Sequence, residues 1–148
     1  MTYPTITPTR PPTTRSAPRT LAIGTAISIG LALAVNLAIF LVGNLGRPLQ
    51  VATGGEPAVA DLELGAVVVA TVVWLVIAAV GLAVFERVLA NGFRAWAGVA
   101  AVLVAATIVP VLALDIDGGS KLALTLMHIT VGAAAVVGQA VARRREIR

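Results

Sequence analysis

The chain has 148 residues, of which 58% are hydrophobic and 12% charged, whereas soluble domains have about 45 to 50% apolar and about a quarter charged residues. That balance excludes an ordinary water-soluble globule, and the length points to one domain. Eleven basic and seven acidic residues give a formal net charge of +4, and they are placed so that long stretches have no charge at all. The expected solvent is the bilayer.

Residues 1–20 contain seven Thr and five of the eight Pro, with no acidic residue. Such a segment has little to bury and is predicted to be a disordered or polyproline-like cytoplasmic tail. Its plain role is a solvated leader; a Pro-rich recognition segment or a phosphorylated Thr is the alternative. Charge-free runs then follow at 21–43, 64–85, 95–114 and 122–142. A helix of 20 residues covers ~30 Å, the thickness of the hydrocarbon layer, and satisfies its own backbone where water is absent. The predicted fold is all-α, an up-down four-helix bundle integral to the membrane over residues 21–142, with a basic tail at 143–148. The first run is too long for a signal-peptide core of about 7 to 15 residues. It leads into Asn44, Leu45, Gly46, Arg47 and Pro48, so a retained anchor is expected.

Orientation follows from the basic residues, which favour the cytoplasmic side of helix ends. Arg10, Arg15, Arg19, Arg87, Arg94, Arg143, Arg144, Arg145 and Arg148 fall on one side of such a bundle. Arg47 and Lys121 fall on the other, with Glu56, Asp61, Glu63, Asp115 and Asp117. Both termini are therefore expected in the cytoplasm. Arg143, Arg144 and Arg145 are expected to touch anionic lipid. No basic motif with interleaved aromatics points to nucleic acid. Glu86, Arg87 and Arg94 form an inner-face charge cluster expected to pair internally and with headgroups. Phe85, Phe93 and Trp96 gather at the same end, where aromatics favour the interface.

The long outer connection, 44–63, has turn signals at Thr53, Gly54, Gly55 and at Glu56, Pro57 and is expected to fold over the bundle mouth. Small residues at four-residue spacing mark candidate helix seams: Gly24 and Ser28; Ala97, Ala101 and Ala105; Thr130, Ala134, Gly138 and Ala142. Counting inward from the outer helix ends places Asn36, Thr71, Thr107 and His128 at one depth, roughly 10 Å below the surface. Lys121, Thr125, His128, Gly132 and Gln139 form a polar stripe on the fourth helix, and Thr25, Ser28 and Asn36 a second on the first. Pro110 frees the Ala106 carbonyl, which the Thr107 hydroxyl or a water could serve.

Two readings of this layer compete. In one, Asn36, Thr71, Thr107 and His128 line a polar cavity open outward. In the other, Thr bonds to its own backbone while Asn36 and His128 pair to hold the bundle together; this is the preferred reading. One His and no Cys give neither a multi-His metal site nor a thiolate site. No metal or cofactor is expected, and the redox compartment is not encoded. Ser120 lies eight residues from His128, about 12 Å along a helix, too far for a nucleophile and its base. Asp115, Ile116, Asp117 and Gly118 imitate the start of a calcium loop but lack the other ligands, so a polar turn is expected.

Gly54 and Gly55, Glu86 and Arg87, Arg94-Ala95-Trp96, Pro110 and Met127-His128 together give the chain a resemblance. From Leu21 to Val141 it resembles an uncharacterised family of small four-helix membrane proteins of actinobacteria, a domain of unknown function. The resemblance implies this topology and a bacterial plasma membrane, and it transfers no substrate or catalytic residue. The expected function is a non-enzymatic bundle that packs with itself or with another membrane protein. The alternatives are a proton or small-solute pathway around His128, and haem or lipophilic-ligand binding through His128 with a second ligand from elsewhere.

Overall fold

The structure, a computed structural model, describes residues 17–53 and 58–146. The elements are α1 (Pro18–Gly43), β1 (Gln50–Ala52), β2 (Val59–Asp61), α2 (Leu64–Val88), α3 (Gly92–Ala113) and α4 (Gly118–Glu146). All four helices are long and apolar enough to cross a membrane. They begin and end close to the charge-free runs but extend past them, because helical geometry continues into the charged turns. Pro18 opens α1 inside the segment read as a tail; a proline suits a first helical turn, since its missing N–H has no partner there anyway. The rest of that tail, up to residue 16, lies outside the described residues, as does the Gly54, Gly55, Glu56, Pro57 turn.

The connection between α2 and α3 is three residues long, and its tightness has a steric basis. Gly92 packs so closely on α2 that a Cβ there would stand 2.6 Å from the backbone of Phe85 and Glu86. Pro110 sits within α3 without ending it, as membrane helices allow.

Each helix packs on its chain neighbours, and α1 also lies along α4. The α1–α4 contact is the tightest. On α1, Thr20, Gly24, Ser28, Ala32 and Asn36 are all buried, one per turn. On α4 the facing residues include Ala134, Ala135, Gly138, Gln139 and Ala142. A Cβ on Gly138 would come within 2.7 Å of the Gly24 carbonyl and 2.8 Å of the Ser28 nitrogen, so only glycine lets the backbones approach this closely. The Ala seam expected on α3 is not formed within the chain: Ala101 and Ala105 are exposed. Only 11% of the span of α3 is buried, against 33% for α4, which makes α4 the helix around which the others assemble.

The interior divides into two apolar clusters. One holds Ala32, Leu75, Leu82, Trp96, Ala134 and Ala135, so Trp96 is a core residue and not the interfacial aromatic expected. The indole packs into the interior with its Nε1 beside Gly81 of α2. The other cluster holds Leu49, Val67, Ala123 and Met127, with Ile39, Phe40 and Leu62 around it.

The connection between α1 and α2 departs from an all-helical reading. It forms a two-stranded antiparallel hairpin that pairs Gln50 with Asp61, Val51 with Ala60 and Ala52 with Val59. An isolated hairpin of this size is marginal in water. Here Leu49, 3% exposed, anchors it in the bundle mouth.

Candidate functional site

The polar layer is built around one cross-helix bond. Asn36 Nδ2 donates to Thr71 Oγ1 at 3.0 Å, and both residues are buried. One turn toward the hairpin lie Phe40 and Val67, of the Leu49 cluster; one turn the other way lie Ala32 and Leu75, of the central cluster. The pair is thus an amide and a hydroxyl held between two apolar layers, where each has little to bond except the other. Asn36 Oδ1 has no partner among the described residues.

Thr107 and His128 share the depth but not the bond. Thr107 Oγ1 donates to the Val104 carbonyl at 2.8 Å, within its own helix, and not to the Ala106 carbonyl freed by Pro110. His128 Nδ1 donates to the Leu124 carbonyl at 2.7 Å. A carbonyl can only accept, so this bond makes Nδ1 the donor and leaves Nε2 as the acceptor of the neutral ring. Asn36 and His128, expected within hydrogen-bond or single-water reach, make no direct hydrogen bond, because Asn36 turns its amide toward α2 and His128 turns back on α4.

Toward the termini, the two polar stripes meet along the α1–α4 seam. Gln139 Nε2 donates to Thr25 Oγ1 at 3.1 Å, with the Leu21 carbonyl at 3.4 Å. Thr25 Oγ1 in turn donates to Leu21 at 2.8 Å. Ser28 Oγ donates to the Gly24 carbonyl at 2.9 Å and faces the Ala135 carbonyl of α4 at 3.5 Å.

At the hairpin end, the feature that imitated a calcium loop is a helix cap. Asp117 Oδ1 accepts the backbone N–H groups of Gly119 (2.9 Å) and Ser120 (3.1 Å), satisfying donors that the first turn of α4 leaves open. The Ser120 hydroxyl donates to Asp117 Oδ2 and accepts the Gln50 N–H at 2.9 Å, so β1 is tied to the start of α4. The Ser120 hydroxyl and its backbone N–H, with that of Gly119, hold the Asp117 carboxyl below its usual pKa. Ser120 is fully buried and bonded on both sides, an arrangement that suits a joint and not a nucleophile. Among the described residues, no group of three His, Cys, Asp or Glu could hold a metal ion. Leu49, Gln50 and Ser120 were not expected here. The signal available for them was a Leu directly after Pro48 and a Ser three residues after an Asp.

At the opposite end, Glu86 reaches beyond its own cluster. It forms an ion pair with Arg143 of α4, whose guanidinium also lies 4.2 Å from the centre of the Phe93 ring. Phe93 and Trp96 are 5.9 Å apart. Arg143 is therefore engaged inside the protein, because its position near the end of α4 faces the α2–α3 turn. Arg87, Arg94, Arg144 and Arg145 are exposed.

Comparison with curated proteins and with solved structures gives no significant match. A family model described as "Family of unknown function (DUF6069)" matches residues 16–146, and the chain belongs to that family.

Proposed function

We propose that this chain is a non-catalytic membrane bundle of the bacterial plasma membrane, with both termini cytoplasmic, that serves as a packing or partner-binding subunit. The observation that carries this reading is the way the polar layer is closed. Asn36 is bonded to Thr71, Thr107 to Val104 and His128 to Leu124, and the Asn36–Thr71 pair is bracketed by apolar clusters on both sides. The Asn36–Thr71 bond holds α1 to α2, while Thr107 and His128 are satisfied within their own helices. The orientation rests on the Arg residues at the end where the helix termini and the α2–α3 turn gather.

The second reading, a proton pathway, is favoured by one observation: the buried Asn36 Oδ1 offers an acceptor that nothing in the described residues fills. Vesicles reconstituted with the full chain separate the two. Proton leak equal to that of empty vesicles is expected; leak that disappears in His128→Ala, with folding intact, would overturn the packing reading. Because the chain has no Cys, single cysteines at Arg144 and Thr53 can report orientation. An impermeant maleimide should label Thr53→Cys from outside intact cells and leave Arg144→Cys untouched.

A further inference from the structure

Gly81 of α2 lies against the indole of Trp96 on α3, and Trp96 is buried. This contact fixes the level of the two antiparallel helices. Seven residues advance a helix by two turns, within about 20°, so Trp74 shares the face of Gly81 on α2, and Leu103 shares the face of Trp96 on α3, at a common depth. There the two helices no longer cover each other: Trp74 is 58% exposed and Leu103 59%. The α2–α3 contact is closed near its turn and opens into a cleft toward the hairpin.

Two polar groups at this cleft have nothing to bond. Trp74 lies ten residues after Leu64, where α2 begins, or ~15 Å into a hydrocarbon layer of ~30 Å. Aromatic side chains favour the two interfaces; at mid-depth neither headgroup nor water meets the Nε1–H, and no acceptor meets it among the described residues. On α3, Pro110 leaves the Ala106 carbonyl without its helical N–H, and the Thr107 hydroxyl serves Val104 instead. Ala106 is exposed. It lies about 200° round the helix from Val104, which packs on Gly132 of α4, so it faces away from α4 on the side of the cleft. Three residues separate it from Leu103, a step of ~4.5 Å in depth and less than one turn.

We infer that this cleft is a contact surface for a second copy of the chain, in which the Trp74 Nε1–H of each copy donates to the Ala106 carbonyl of the other. Two copies inserted the same way round, related by a twofold axis along the membrane normal, meet residue by residue at equal depth, and every bond across the axis is made twice. A donor and an acceptor on one surface, less than a turn apart in depth, meet that condition. Hydrocarbon offers neither group a partner, so pairing satisfies four groups that the single chain leaves open. The inference rests on the packing reading above and deepens it by naming the partner.

The test uses the full chain in phosphatidylglycerol and phosphatidylcholine vesicles, with donor or acceptor dyes on Arg144→Cys, and follows energy transfer as lipid is added. Wild type should pair, with transfer falling on dilution. Trp74→Phe keeps a ring and removes the N–H; Pro110→Ala returns a helical N–H to the Ala106 carbonyl. Each should weaken the dimer about eightfold, the effect of two membrane hydrogen bonds, and the double variant should be no weaker than either alone, because both changes remove the same bond. Pro110→Ala adds a bond within α3, so it remains informative should Trp74→Phe fail to fold. Val137→Ala, on the exposed side of α4, should leave the dimer unchanged. Transfer no higher than random proximity in wild type would overturn the pairing and leave the packing reading standing, since that reading falls only to a proton leak dependent on His128. Additive losses in the double variant, or an equal loss in Val137→Ala, would also overturn the pairing.

Discussion

Rows of small residues at four-residue spacing occur on α1, α3 and α4, yet those on α1 and α4 lock together while Ala101 and Ala105 of α3 face outward. In lipid there is no hydrophobic force between helices, so smooth apolar rows gain only close packing. The α1–α4 rows have more. Thr25, Ser28 and Gln139 are interleaved with Gly24 and Gly138, so close approach of the backbones also brings Gln139 Nε2 onto Thr25 Oγ1 and the Ser28 hydroxyl to 3.5 Å from the Ala135 carbonyl. The α3 row has alanine and no polar side chain in register with it, and it is left to the bilayer. Spacing alone therefore does not make a seam; spacing with a polar residue in phase does.

That contrast can be broken by substitution. Gly138→Leu drives a side chain into the backbone of α1 at Gly24 and Ser28 and should cost about 3 kcal/mol or more. The check is the folded fraction on size exclusion and the thermal midpoint in detergent. Glu86→Gln leaves Arg143 without its carboxylate; with Arg143 still 20% exposed, the loss should be about 2 kcal/mol, below the roughly 3 to 5 kcal/mol of a fully buried pair. Thr71→Val removes the acceptor of the Asn36 amide and should cost about 0.6 kcal/mol, with ~1.7 kcal/mol as the upper end for such bonds in membranes. Both are measurable by equilibrium unfolding in mixed micelles.

Acid should loosen the hairpin end selectively. The Asp117 carboxyl titrates below its usual range because Ser120 and Gly119 donate to its charged form. Its contribution is complete above the unfolded value of ~3.9 and is lost as pH falls through the lower folded value. Amide exchange at Gly119, Ser120 and Gln50 should rise there before the α1–α4 seam responds, and loss at the seam first would contradict this. The smallest effect belongs to the outward row: Ala101→Leu should change stability by no more than about 0.5 kcal/mol. A larger loss would mean that this face is covered in the working assembly.

The four spans could be read from charge placement alone, because a long uncharged run has few other outcomes. The seam of α1 and α4 was also visible in part, through Gly24, Ser28 and Gly138. The partners of long side chains were not. Glu86 has basic residues beside it in sequence, and its pairing with Arg143 depends on how α2 and α4 end at the same level. Trp96 reads as interfacial by position, yet it enters the core beside Gly81, a fit that one helix cannot show. The depth count that aligned Asn36, Thr71, Thr107 and His128 had no information on which way each points. It could not distinguish the Asn36–Thr71 bond from the local bonds of Thr107 and His128.

The joint between Gln50 and Ser120 spans 70 positions of chain and has a consequence for biogenesis. When α1 and α2 leave the ribosome, the hairpin between them has no Ser120 to receive its N–H, and the packing of Leu49 on Ala123 and Met127 is also missing. Both arrive with the last helix. Ordering of β1 therefore marks the moment at which α4 takes its place, and a chain stopped after α3 should expose this segment, in detergent, to a protease that the finished protein resists.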